Sequence, residues 1–210
     1  MTKQNIVVLM AAALSDTRGI GYKQDLPWYI PADTKWLNHV TTKKYVDTPL
    51  NRVDDQDWHN VVIMGRLSWE SIPMRGIPME DRFNIVVSRN PDYNIYAVDK
   101  FRNVSLSNSI SQALSDGIEE SQKTGGRIFV LGGEKVYEEA MVLPQSTHIL
   151  LTLIYTKEPI ECDTFMPQID LRIFRLASHE ELEAFIQEIV PEGIQSHENL
   201  DYEFLLYVRI

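Results

Sequence analysis

Apolar runs of strand length alternate along this chain with amphipathic segments of helix length. Asn5–Leu14 (NIVVLMAAAL) is apolar at nearly every position, the pattern of a strand buried on both faces. Shorter runs recur at Val61–Met64, Phe83–Val87 and Ile128–Leu131. Helices are predicted at Leu67–Ile72, Ser109–Gln122 and Glu134–Met141. The second of these carries Ile110, Ala113, Leu114 and Ile118 on one face, opens with the capping pattern Ser109-Ile110-Ser111-Gln112 and closes at Gly125-Gly126. Strands alternating with helices predict an α/β fold with a mostly parallel central sheet and helices on both faces. In the last third, His148–Tyr155 and Tyr202–Arg209 read as strands joined by a long connection, hence as antiparallel additions ending in a C-terminal edge strand. Glu180–Ile189 reads as a short helix of ambiguous pattern. No repeat or composition shift divides the chain, so residues 1–210 are expected to form a single domain, with surface loops near 41–60 and 178–200.

One amphipathic segment breaks its own pattern. Pro31 suits a first helical turn, where its missing N–H costs nothing. A helix from there puts Asp33 on one stripe with Trp36, Leu37 and Val40. An unpaired carboxylate on a face turned toward a dry core is too costly. Asp33 therefore either meets a donor-rich ligand or serves the helix as a first-turn acid.

Composition narrows the function classes. A net charge of −10 argues against nucleic acid and anionic membrane surfaces as partners. No apolar run reaches membrane-spanning length, and Met1-Thr2-Lys3-Gln4-Asn5 has no secretory pattern, so a cytoplasmic protein is expected. Cys162 is the single cysteine and cannot form an internal disulfide. The histidines are scattered and the motifs of metal sites are absent, so no metal is expected.

Three strand ends carry anion-binding chemistry. Val62-Ile63-Met64-Gly65-Arg66-Leu67-Ser68 places a glycine, a cation and a hydroxyl at a strand-to-helix turn. Ile128-Phe129-Val130-Leu131-Gly132-Gly133-Glu134-Lys135-Val136-Tyr137 offers two glycines in the same context. Val87-Ser88-Arg89 ends a strand with a further hydroxyl and arginine. Each signal is weak alone. Together, at the carboxyl ends of parallel strands, they fall on the edge where α/β sheets bind ligands, and they favour an extended phosphorylated cofactor.

Leu26-Pro27-Trp28, Ile30-Pro31-Ala32-Asp33, Val62–Arg66, Ser68-Trp69-Glu70-Ser71-Ile72, Leu131-Gly132-Gly133 with Val136-Tyr137, and Asp163-Thr164-Phe165 with Pro167 follow the order and approximate spacing of dihydrofolate reductases. The chain resembles that family from Ile6 to Tyr202-Glu203-Phe204. Its length resembles the eukaryotic, fungal type, while the Trp28-to-Asp33 spacing and the choice of Asp resemble bacterial members.

The resemblance implies NADPH-dependent reduction of 7,8-dihydrofolate to tetrahydrofolate, in support of one-carbon metabolism and thymidylate synthesis. It further implies a monomer that binds dihydrofolate and antifolates. The implied catalytic set is Asp33, Leu26, Trp28, Tyr137 and Thr152. Asp33 would hold the pteridine and support protonation of its imine nitrogen, with Thr152 supporting the acid. A water near Trp28 would pass the proton, and Leu26 would sit on a loop over the nicotinamide. Substrate contacts are implied for Ala11, Ala12, Ala13, Leu37, Ser68, Ile72, Met79, Leu131 and Arg82, the last gripping a glutamate carboxylate. Cofactor contacts are implied for Ala13, Ile20, Gly21, Gly65, Arg66, Leu67 and Ser68, and for Ser88 and Arg89 as selectors of the 2′-phosphate. The run Leu131, Gly132, Gly133, Glu134, Lys135, Val136 and Tyr137 would cradle the pyrophosphate across a cis Gly-Gly peptide.

Departures from the family pattern leave rival readings open. Leu37 stands where the family usually has phenylalanine, Ala11 replaces a larger aliphatic residue, and Asp81 replaces a glycine beside Arg82. A related reductase of riboflavin-pathway intermediates is one alternative. A nucleotide-binding or regulatory relative without turnover is another, and Asp81 is the feature that leans toward it.

Overall fold

The computed structural model describes residues 5–46, 58–71, 76–93 and 100–210. The first half contains strands β1 (Val7–Leu14) and β2 (Gly19–Gly21), helix α1 (Pro31–Thr42), strand β3 (Asn60–Gly65), helix α2 (Arg66–Glu70) and strands β4 (Arg82–Val87) and β5 (Val104–Ser107). Helix α3 (Ile110–Thr124), strand β6 (Ile128–Val130), helix α4 (Glu134–Val142) and strand β7 (His148–Thr156) follow. The chain closes with strands β8 (Thr164–Phe165) and β9 (Phe174–Leu176), helix α5 (His179–Ile186) and strands β10 (Gln195–His197) and β11 (Leu200–Arg209).

The continuous apolar strands are explained by two cores rather than one. Along β1, Val7 and Leu9 point into the layer beneath α3 and α4, while Val8 and Met10 point into the layer with α1, α2 and α5. Val61 and Ile63 alternate with Val62 and Met64 in the same way. With side chains alternating across the sheet, helices on both faces demand apolar residues at every position. Each such fully buried valine or isoleucine stabilises the fold by about 1.5–3 kcal/mol.

Among the described residues the main sheet runs β10-β11-β7-β1-β6-β3-β4-β5, with β9 also on β11, and β2 pairs separately with β8. All contacts from β7 through β5 are parallel, and β11 pairs antiparallel with β7, β9 and β10. This corrects one expectation: β7 is a parallel neighbour of β1, and antiparallel pairing begins at β11. Crossover through α4 returns the chain in the same direction, as a strand–helix–strand unit does.

Thr41 and Thr42 finish α1 and Asn60 opens β3, while 47–57 lie outside the described residues. The 178–200 segment holds α5 and β10. Helix α5 starts on a full capping box in which Ser178 and Glu181 satisfy each other's backbone N–H groups. Helix α3 has the expected Ser109 cap, and Gly125 ends it at φ +80°, a left-handed conformation that glycine adopts without penalty.

Candidate active site

A cleft of about 1390 Å³ opens along the carboxyl edge of the parallel strands. Its walls come from the ends of β1, β3, β4 and β6, the first turns of α1, α2 and α4, and the β2–β8 ribbon.

At one end stands Asp33. Helix α1 begins with Pro31 after an extended Ile30, and no side chain caps it. Asp33 therefore does not serve as the helix cap. Its carboxyl interacts with the Thr152 hydroxyl instead. Thr152 lies on β7 between Ala12 of β1 and Phe204 of β11, almost wholly buried. Burial raises the Asp33 pKa above the ordinary carboxylate value, and the Thr152 hydrogen bond opposes part of that rise. The negative charge reaches further: it reinforces the effect of burial in pushing up the Tyr137 and Tyr202 phenols. Tyr137 is held by donating its hydroxyl to the Met10 carbonyl at 2.7 Å.

Arg82 lies further along the same wall, only 7% exposed. Its Nε donates to the Glu80 carbonyl at 2.7 Å, and Nη1 donates to Thr41 Oγ1 at 2.8 Å and Asn38 Oδ1 at 3.3 Å. Burial lowers its pKa, while the nearby carboxylates of Asp81 and Glu80 act in the opposite direction. Among the described residues no protein acceptor takes Nη2, so the fork keeps an edge for a ligand. The neighbouring Asp81 has φ +57°, in the left-handed region that favours glycine. Aspartate is among the residues that tolerate this conformation, so the backbone that presents Arg82 is preserved.

The opposite end is built mainly from backbone. Gly65 N donates to the Gly132 carbonyl at 2.7 Å, joining the turns after β3 and β6. A Cβ on Gly65 would sit 3.0 Å from Val136 Cγ2, and one on Gly133 would sit 3.3 Å from Ser68 Oγ. The Gly132–Gly133 peptide is cis. Helices α2 and α4 begin at Gly65 and Gly133, and neither has a side-chain cap. Their first-turn N–H groups remain for an anion. Arg66, Arg89 and Lys135 add cations to the lining. Arg66 also bonds Glu70 at 3.0 Å and lies over the Tyr93 ring. Ser88 accepts from Asn90 N at 3.2 Å.

Most of the residues singled out from the sequence meet in this one cleft. Ala11, Ala12, Ile20, Gly21, Leu26, Asp33, Leu37, Met79, Arg82 and Thr152 line it, as do Gly65–Ser68, Ser88, Arg89, Leu131, and Gly133–Tyr137. Trp28, Ala13 and Gly132 are not on its wall: Trp28 and Ala13 are packed in the two cores, and Gly132 is buried against the Tyr137 ring. The buried Trp28 Nε1 has no acceptor among the described residues. Ile72 lies outside the described residues. Lys23, Thr34 and Asn38 also line the cleft, as does Asp163, which the sequence marks only as part of a family block and not as a site residue. Thr34 and Asn38 had a signal, since they sit four apart along the rim of the Asp33 helix. Lys23 and Asp163 meet across the fold, with Lys23 N donating to Asp163 Oδ2 at 2.9 Å, and nothing local marks that pair.

A family profile described as dihydrofolate reductase matches residues 46–192. The chain is 32% identical to dihydrofolate reductase of Pneumocystis carinii, covering all of this chain and 99% of that protein. It is 31% identical to the Candida albicans enzyme, with both chains fully covered. It is 32% identical to the Sus scrofa enzyme over 94% of this chain and 95% of that one. Among solved structures, dihydrofolate reductase from Enterococcus faecalis, complexed with NADP(H) and RAB-propyl, superposes with a TM-score of 0.68 at 24% identity, covering 98% and 97% of the two chains. Relatives from fungi and animals thus align over nearly their whole length, and the solved Enterococcus faecalis structure shares the fold. The chain belongs to the dihydrofolate reductase family.

Proposed function

We propose that this protein catalyses the NADPH-dependent reduction of 7,8-dihydrofolate to tetrahydrofolate. The observation that carries the reading is the placement of a protonation-prone carboxyl, Asp33, at one end of the same cleft whose other end is an uncapped, cation-lined phosphate cradle.

The residues fit the cofactor. Two glycine-initiated helices with open N–H groups can take the pyrophosphate, and Arg66, Ser88 and Arg89 can take the 2′-phosphate side. When bound, NADPH supplies the hydride. The chain does the rest by orientation and electrostatics. Asp33 accepts from the amino group and ring N–H of a pterin, and its raised proton affinity favours holding a proton in the apolar pocket near the imine nitrogen. Thr152 keeps the carboxyl in place. Arg82 offers its free edge to the distal carboxylate of the substrate, and Leu37 and Leu131 supply apolar wall between the two. The intact presentation of Arg82 beside Asp81 speaks for an enzyme and against a relative without turnover.

Tetrahydrofolate formation would place the protein in one-carbon metabolism. A cytoplasmic monomer accords with this reading, and no described helix is long and apolar enough to cross a membrane. The test is NADPH oxidation by the purified protein, followed by absorbance. Oxidation that requires dihydrofolate and is blocked by methotrexate is expected; NADPH binding without dihydrofolate-dependent oxidation would overturn the proposal.

A further inference from the structure

An acid at the first position of α4 is out of character with the cradle around it. Glu134 follows the Gly133 cap directly and lines the cleft, where a carboxylate would compete with a phosphate for the same N–H groups. Its carboxylate is committed elsewhere. Glu134 Oε2 accepts the backbone N–H of Phe165 in β8 at 3.0 Å. Lys135, the adjacent cation, is paired with Glu138 at 2.6 Å and does not take this carboxylate. The N-terminus of α4 is thus left open, and its first residue is attached to another element.

That element is the short ribbon forming one wall of the cleft. Phe165 is paired with Gly19 and Thr164 with Gly21. Asp163 N donates to the Gly21 carbonyl at 3.0 Å, Met166 N donates to the Arg18 carbonyl at 2.8 Å, and Lys23 N donates to Asp163. Ile20, Gly21 and Lys23 of this ribbon and its continuation face the cleft. A continuous set of hydrogen bonds therefore runs from the phosphate cradle through Glu134 to the residues flanking the reacting end.

We propose that Glu134 is a positioning residue, a tie that fixes the β2–β8 ribbon to the cofactor-binding helix α4 and so holds the wall over the reacting end while the cradle is occupied. The inference rests on the reductase reading for its kinetic consequence, but the tie itself exists without ligand. Two effects of Glu134 can be separated by chemistry. E134Q removes the charge and keeps a carbonyl oxygen that can accept from Phe165, whereas E134A removes both.

Amide hydrogen exchange of the ligand-free protein, combined with NADPH binding and steady-state kinetics, tests it. Both variants lose the like charge beside the cradle and should bind NADPH roughly two- to fivefold more tightly, less so at high salt. Only E134A should show faster exchange at Phe165 and Asp163, by roughly three- to tenfold, with a kcat lower than that of E134Q by a similar factor. Equal exchange and equal kcat in the two variants would overturn the tie and leave Glu134 as a charge alone. A wild-type protein that fails to oxidise NADPH with dihydrofolate would refute the reductase reading, while the exchange comparison would still decide the tie.

Discussion

The two ends of the cleft are made of different material. The Asp33 end depends on a few side chains, each with one irreplaceable group: a carboxyl, the Thr152 hydroxyl and the Arg82 fork, which is braced by Thr41 and Asn38. The cradle end depends on backbone, with glycines that let two helix starts approach each other and leave their N–H groups open. Side-chain chemistry can be removed without disturbing the fold. Backbone chemistry is spread over many N–H groups and fails through geometry.

Asp33→Asn should break the first end most severely. Turnover at neutral pH is expected to fall about 10²- to 10⁴-fold while NADPH affinity, measured by fluorescence titration, stays near wild type. At Arg82→Lys the ammonium replaces a planar fork with a point charge. The KM for dihydrofolate should rise roughly tenfold to a hundredfold, with a smaller change in kcat. Gly132→Ala probes the other material. Gly132 has φ +93°, and a Cβ there would lie 2.6 Å from the Tyr137 ring. A loss of about 1–3 kcal/mol of stability in urea unfolding is expected, together with weaker NADPH binding. Arg89→Gln leaves the backbone cradle whole and removes one exposed cation, so the preference for NADPH over NADH should fall only roughly three- to tenfold, and less at high salt.

The smallest effect concerns stability. Because burial raises the Asp33 pKa, the ionised form is penalised in the folded, ligand-free protein. That penalty is absent below the unfolded carboxylate value of 3.8 and grows as pH rises above it, reaching its full size once pH exceeds the raised folded value. Asp33→Asn should therefore increase the Tm of the ligand-free protein at neutral pH, with the gain shrinking toward pH 4 in a calorimetric series. A variant that is more stable and far less active is the signature of a group kept for function.

The same contrast explains what could be read from the sequence. The parallel strands were legible because burial on both faces leaves an unbroken apolar run, and the cradle because glycines after strands are local signals. Asp33 was legible as the one acid on an apolar stripe. The bracing of Arg82 was not, since Thr41 and Asn38 are far away along the chain and look like ordinary helix residues. That Asp81 fits beside Arg82 is not legible either, because only the backbone angle shows a conformation that aspartate tolerates. Strand β5 (VSLS) leaves little signal in the sequence because it is short and, among the described residues, forms a sheet edge. Helix α5 was expected only as an ambiguous pattern, although Ser178 three residues before Glu181 was a usable start signal.

The most direct test of the central claim, that Asp33 governs protonation of the substrate, is the pH dependence of dihydrofolate reduction by the wild type and Asp33→Asn under saturating NADPH. The account predicts a wild-type rate that declines as pH rises through an ionisation lying above the ordinary carboxylate range, and a uniformly depressed profile lacking that ionisation in the variant. A variant that keeps the wild-type rate and the same profile would contradict it.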